Sequence, residues 1–177
     1  MKAILPFFFL FLLSGCFISV EDPFYPKGDV LGYKPIYAPE KDLNIEWQTA
    51  RPIQNPGKIY VYNNLLLVNE RFAGIHVINN INPANPQPVG FISIAGNVDM
   101  AIKNNILYAD NQRDLVAIQL DNMQNMTVLK RFDDMLPEYN LFPEDQEMVF
   151  FECVDPEKGI VIGWEKTMIN NPKCYKP

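Results

Sequence analysis

The chain has 177 residues, 48% apolar and 12% aromatic, enough for one domain with a sizeable core plus a short tether. Its 21 acidic against 15 basic residues give a net charge of −6, which leaves no electrostatic footprint for nucleic acid and no basic helix for an anionic lipid surface. Prolines, glycines and abundant asparagines break the apolar runs into short pieces, the pattern of β-structure with frequent turns.

At the N-terminus, Lys2 precedes an apolar run from Ala3 to Leu13. A helix of about 11 residues spans about 16 Å, well short of the roughly 30 Å of a bilayer core. The run therefore reads as a signal-peptide h-region within residues 1–15. It ends in Leu13-Ser14-Gly15-Cys16, which resembles the bacterial lipobox. The resemblance implies a diacylglyceryl group on Cys16 and cleavage before it, so that the mature protein is anchored to a membrane without spanning it. The alternative is an ordinary secretory signal with a cysteine nearby. The expected location is the bacterial cell envelope, at the outer membrane, facing the periplasm or the surface.

Residues 16–56 form a tether and lead-in rich in proline and tyrosine. Prolines at 23, 26, 35, 39, 52 and 56 predict an extended, irregular path with no strand ladder. Phe24, Tyr25, Tyr33 and Tyr37 are too many aromatics for a solvated linker, so part of it should lie against the domain. Pro39-Glu40-Lys41-Asp42, with Leu43 and Trp47 four apart, predicts a short helix over 39–49 that packs Trp47 on the domain.

The stretch from Gly57 to Phe132 is one unit written twice. Asn63-Asn64 aligns with Asn104-Asn105, and the segment from Asn82 to Pro86 with that from Asn122 to Met126. The offset is about 40 residues, the period of a four-stranded propeller blade. In the first unit, strands are predicted at 58–62, 65–69, 74–78 and 89–94, with Asn63-Asn64 as a two-residue hairpin turn. The second predicts strands at 98–103, 106–109, 115–120 and 128–132. Both faces of these strands are largely apolar, as in sheets covered on both sides.

Lys58 to Glu70, Gly74-Ile75-His76-Val77-Ile78, Asn82-Pro83-Ala84-Asn85-Pro86 and Gly96-Asn97-Val98-Asp99-Met100 occur in order. Together they resemble the LVIVD-repeat surface lipoproteins of Bacteroidetes-type bacteria. The resemblance covers about residues 50–165 and implies a β-propeller-like fold at the cell envelope, with no catalytic residues to carry over. The chain departs from the family in having Met123 and Met126 in the second Asn-rich turn, and only two clear units.

Residues 138–177 hold a degenerate third unit or an unrelated hairpin, with predicted strands at 148–152 and 159–164. The fold expected is all-β: antiparallel four-stranded units at 57–97, 98–137 and 138–177, propeller-like and incomplete at about two to three blades. Repeat units need about three neighbours to bury their faces, so the lead-in and terminus, or a second copy of the chain, must cover the outer ones.

Setting Cys16 aside leaves Cys153 and Cys174, an even pair in an exported domain, which reads as a disulfide. No metal or cofactor site is expected, because His76 is the sole histidine and no Cys-x-x-Cys occurs. His76 aligns with Val116, so it reads as a histidine hydrogen-bonded within the sheet. Asp110, Gln112 and Asp114 read as turn caps. The acidic stretch Asp133-Asp134, Glu138, Glu144-Asp145 and Glu147 reads as a solvated loop, with a calcium site as the alternative.

No catalytic constellation stands out, and the protein reads as a non-enzyme. The leading function is a lipid-anchored envelope protein offering a β-repeat surface to a protein or glycan partner. One alternative is a carbohydrate-binding accessory protein stacking sugars on Trp47, Tyr60, Tyr62, Tyr108 or Trp164; core packing is the competing role for each. Another is a shortened relative of a full propeller, without independent activity.

Overall fold

The computed structural model describes residues 25–39, 43–122, 125–136, 142–143 and 148–177. The leader at 1–15 and Cys16 lie outside these residues. Within them the chain is all-β, without an α-helix, and its strands form three sheets.

The first sheet joins β2 (Glu46–Gln48), β3 (Pro56–Tyr62), β4 (Leu65–Glu70), β5 (Gly74–Asn79) and β6 (Gln87–Ser93) in the order β2-β6-β5-β4-β3. The second is a plain meander of β7 (Met100–Lys103), β8 (Ile106–Asn111), β9 (Asp114–Asn122) and β10 (Asn125–Phe132). The pairing registers correspond strand by strand. Tyr60 opposes Leu67 as Ala101 opposes Tyr108, and Val68 opposes His76 as Ala109 opposes Val116. The asparagine turns close both first hairpins with two residues: Asn63 takes φ 52°, and Asn104 and Asn105 take 52° and 61°. Asparagine tolerates that left-handed region better than other side-chain-bearing residues.

The first two sheets pack face to face. Leu67, Ile75, Val77 and Ile92 from one, and Met100, Ile102, Leu107, Ala109, Val116 and Ile118 from the other, make a single buried core. Alternation along each strand puts these residues on one face.

The third sheet corrects the irregular lead-in. Asp29–Ala38 is a ten-residue strand, β1, paired along its length with β12 (Ile160–Asn170). Pro35 is tolerated there because of where its missing donor points. Tyr33 directs its carbonyl to Glu152 N at 2.9 Å, on the side of β11 (Val149–Phe151). Two residues on, Pro35 faces that same side, beyond the single Tyr33–Phe151 register pair and away from the β12 ladder.

The expected hairpin between 148–152 and 159–164 is also corrected. Both segments are strands, but β1 lies between them in the order β12-β1-β11-β13, with β13 at Cys174–Lys176. The helix expected over 39–49 does not form at 46–48, where β2 pairs antiparallel with β6. Trp47 does pack on the domain: its ring lies on Gly90, where an added Cβ would come within 2.0 Å of the indole. The strand expected from Val98 begins instead at Met100, because the Val98 and Asp99 N–H groups donate to the Asp110 carboxylate.

Candidate interaction site

Six polar or charged residues are buried among the described residues, and they divide into two clusters. The first cluster is the joint between the two repeat sheets. Asn97 lies in the connection from one to the other; its Oδ1 accepts from Asn69 Nδ2 at 2.7 Å, and its Nδ2 donates to Asp110 Oδ1 at 2.8 Å. Asn69 and Asp110 are the penultimate residues of equivalent strands, β4 and β8. Asn111 adds a bond from Nδ2 to Ala95 O at 2.7 Å. Burial pushes the Asp110 carboxyl up to about 6, against the opposing pull of the Asp99 and Val98 N–H groups. Asp110 is thus a clamp between units, which corrects its reading as a turn cap. Asp114 accepts from Arg131 at 2.6 Å and from the main-chain N–H of Asp134 in the following turn at 3.0 Å.

The second cluster is His76 with Glu70. His76 Nε2 and Glu70 Oε2 are 2.8 Å apart, and the two side chains are 4% and 7% exposed. Glu70 also accepts from the main-chain N–H groups of Gln54 and Asn55 at 3.0 and 2.5 Å. Burial alone would raise the Glu70 carboxyl; the bonds from Gln54, His76 and Asn55 outweigh it and hold the group below its ordinary value. Residues 51–55 are thereby strapped over the outer face of the first sheet, with the Arg51 guanidinium 3.6 Å above the Phe91 ring. Phe91 is fully buried and meets His76 edge-on at 4.9 Å. His76 is a structural residue hydrogen-bonded in the sheet, as its alignment with Val116 suggested.

Between the strap and the third sheet lies a cleft of about 400 Å³ lined by Tyr33, Asn55, Arg71, Phe72, Glu165 and Lys166 among others. Its near wall is the β4–β5 turn, Arg71-Phe72-Ala73, one residue longer than its counterpart Gln112-Arg113. Phe72 sits at φ 65°, a conformation that costs a bulky residue about 1–3 kcal/mol. Two backbone bonds hold it, Phe72 N to Asn97 O at 2.7 Å and Gly96 N to Phe72 O at 2.8 Å. The ring is seated on Gly163, where an added Cβ would come within 2.3 Å of it. The turn leaves Arg71 exposed at the cleft wall, with no ion pair among the described residues.

Other predicted residues fall as follows. Cys153 and Cys174 are bonded, tying the segment after β11 to β13. Trp47, Tyr60 and Tyr62 pack on the shared core, and the Tyr62 hydroxyl is 2.9 Å from Asn105 Oδ1. Trp164 is 8% exposed and packs edge-on against Phe151. These four do not form a stacking platform. Tyr108 lines a separate apolar hollow on the second sheet. In the acidic stretch, Asp134 pairs with Arg113 at 3.0 Å; Glu138, Glu144, Asp145 and Glu147 lie outside the described residues. Arg71 and Phe72 escaped sequence reasoning. The extra residue in their turn, visible once the units are aligned, was the signal for them.

Comparison with protein-family models, with curated proteins and with solved structures returned no match.

Proposed function

We infer that the protein is a lipid-anchored component of the bacterial cell envelope whose β-repeat body binds a partner and does not transform a substrate. In this reading the two register-matched sheets are consecutive blades of a propeller-like array resembling the LVIVD repeats, and Cys16 carries the anchor. The observation that carries it is the cleft wall. A strained Phe72, held by Asn97 and Gly96 and seated on Gly163, presents an Arg71 that has no ion-pair partner among the described residues of an acidic chain. Strain of this kind persists where the surrounding structure over-determines it, and it concentrates at ligand sites. A forked guanidinium at such a wall suits an acidic group on the partner. His76 and Glu70, a buried acid–base pair, are engaged in holding the strap.

The test has two parts. Cys16→Ala should abolish incorporation of labelled palmitate and release the protein from the membrane fraction. A photoreactive residue at position 55 should give an adduct in intact envelopes, lost in Arg71→Glu at unchanged protein level. Palmitate labelling that survives Cys16→Ala would overturn the anchor, and an adduct indifferent to Arg71→Glu would overturn the site.

A further inference from the structure

Packing of the first sheet on the second is a single step of a repeating operation, and both ends of that step are unfinished. Met100 and Ile102 on β7 are 2% and 7% exposed because the first sheet covers them. Their register equivalents on β3 are Ile59 and Val61, which oppose Val68 and Leu66 as Met100 and Ile102 oppose Ala109 and Leu107. Ile59 and Val61 are 63% and 61% exposed. They are the same apolar pair with none of the described residues covering it. Apolar residues side by side on an edge strand are a surface that stable monomers generally avoid.

At the other end, the outer face of the second sheet lacks what the first sheet supplies. Tyr60 and Tyr62 fill the first interface and reach Ile102 O and Asn105. Their equivalents are Ala101 and Lys103. Around Ala101 is an apolar hollow of about 270 Å³, lined also by Tyr108, Leu115 and Leu136. Large side chains lie exposed at one end of the array, and a hollow lies at the other.

Charge follows the same step. Across the existing interface Lys58 Nζ and Asp99 Oδ1 are 2.7 Å apart, and these two residues hold equivalent positions in their units. Repeating the step sets Asp99 of one copy against Lys58 of the next, an attractive pair in the correct order.

We propose that a second copy of this chain docks head to tail, its β3 edge with Ile59 and Val61 entering the hollow around Ala101 and Tyr108. The contact is heterologous: it joins unlike faces, so each bound copy leaves a free face of each kind and the array extends until it closes or is capped. The strap over Phe91 and His76 confines the contact to the β3 side of the first sheet. This interface is separate from the Arg71 cleft and does not depend on it.

In-envelope cysteine cross-linking of the full-length, anchored chain tests this directly. Ile59→Cys and Ala101→Cys are expressed together and separately, under mild oxidation. A disulfide needs its Cα atoms within about 7 Å, so yield reports the specific contact. The mixture should give a cross-linked dimer, and neither variant alone should do so. Ile59→Cys with Leu31→Cys, an exposed position on the third sheet, should give none. Adding Lys58→Glu to the Ile59→Cys chain should sharply reduce the yield, and Asp99→Lys on the Ala101→Cys chain should restore it. No dimer in the mixture, an equal yield with Leu31→Cys, or Ile59→Cys cross-linking to itself would each overturn the proposal.

Discussion

Asn97 Nδ2 lies 2.8 Å from Asp110 Oδ1, a bond that helps tie the connection between the two repeat sheets to β8 of the second. The same side chain accepts from Asn69 on β4 of the first. A buried amide used on both sides is hard to replace, since any substitution strands polar groups that water cannot reach. Asn97→Leu should lose about 2–4 kcal/mol in urea unfolding. Asn97→Asp should lose a comparable amount near neutral pH, because it removes the donor and sets a second carboxylate against Asp110.

Asp110 makes stability depend on pH in a definite direction. Its folded-state carboxyl is raised from 3.8 to about 6, so the folded chain holds the proton more tightly than the unfolded chain. That contribution is full below about pH 3.8 and is lost as pH rises through about 6. The difference in unfolding free energy between the parent and Asp110→Asn should therefore shift against the parent by up to about 3 kcal/mol across this window. Urea midpoints of both proteins at half-unit pH steps check it.

Glu70 acts in the opposite sense. Its lowered carboxyl contributes stability above the ordinary carboxylate range, lost as pH falls through its folded value, below 4.5. Glu70→Ala also leaves His76 and the Gln54 and Asn55 N–H groups without their acceptor. Limited proteolysis should then cut first within residues 51–55, while the parent resists there.

Gly90 is the seat of Trp47. Gly90→Ala should cost about 1–3 kcal/mol by overpacking against the indole. The same substitution in a Trp47→Leu background should cost far less. Chemical denaturation of the four proteins of that cycle measures the coupling, and additive losses would show that the ring is not what fills the site.

The disulfide closes a loop of 21 residues between β11 and β13. Replacing both cysteines by serine should cost about 3 kcal/mol through unfolded-state entropy. Thermal unfolding with and without reductant should reproduce that loss in the parent and show none in the double variant.

Legibility from sequence was uneven along the chain. All eight strands of the two repeat units were found within a few residues, because each carries its own apolar pattern and the asparagine turns between them require left-handed φ. The lead-in was misread as irregular because its prolines argue against strand when each is read alone. Only the neighbour of a proline shows whether its missing N–H would have been needed, and Pro35 faces away from β12. The helix expected near Trp47 failed because the edge of β6 offered hydrogen bonds that outweigh a weak local signal.

The sequence by itself determined the repeat, its hairpin turns, the positions of its strands and the cysteine pair. Each of these is encoded within a few residues or by simple parity. Tertiary structure alone decided that Asp29–Ala38 joins the strands after Met148 in the third sheet: Gly28 N reaches Asn171 Oδ1 at 2.8 Å across 143 residues, and β1 separates β11 from β12. It alone also turned Phe72 and Arg71 into the wall of a cleft. A local apolar run bounded by turn residues locates a strand. Which distant strand it pairs with, and which side chain is held in strain to permit that, depends on the global competition for hydrogen bonds and packing.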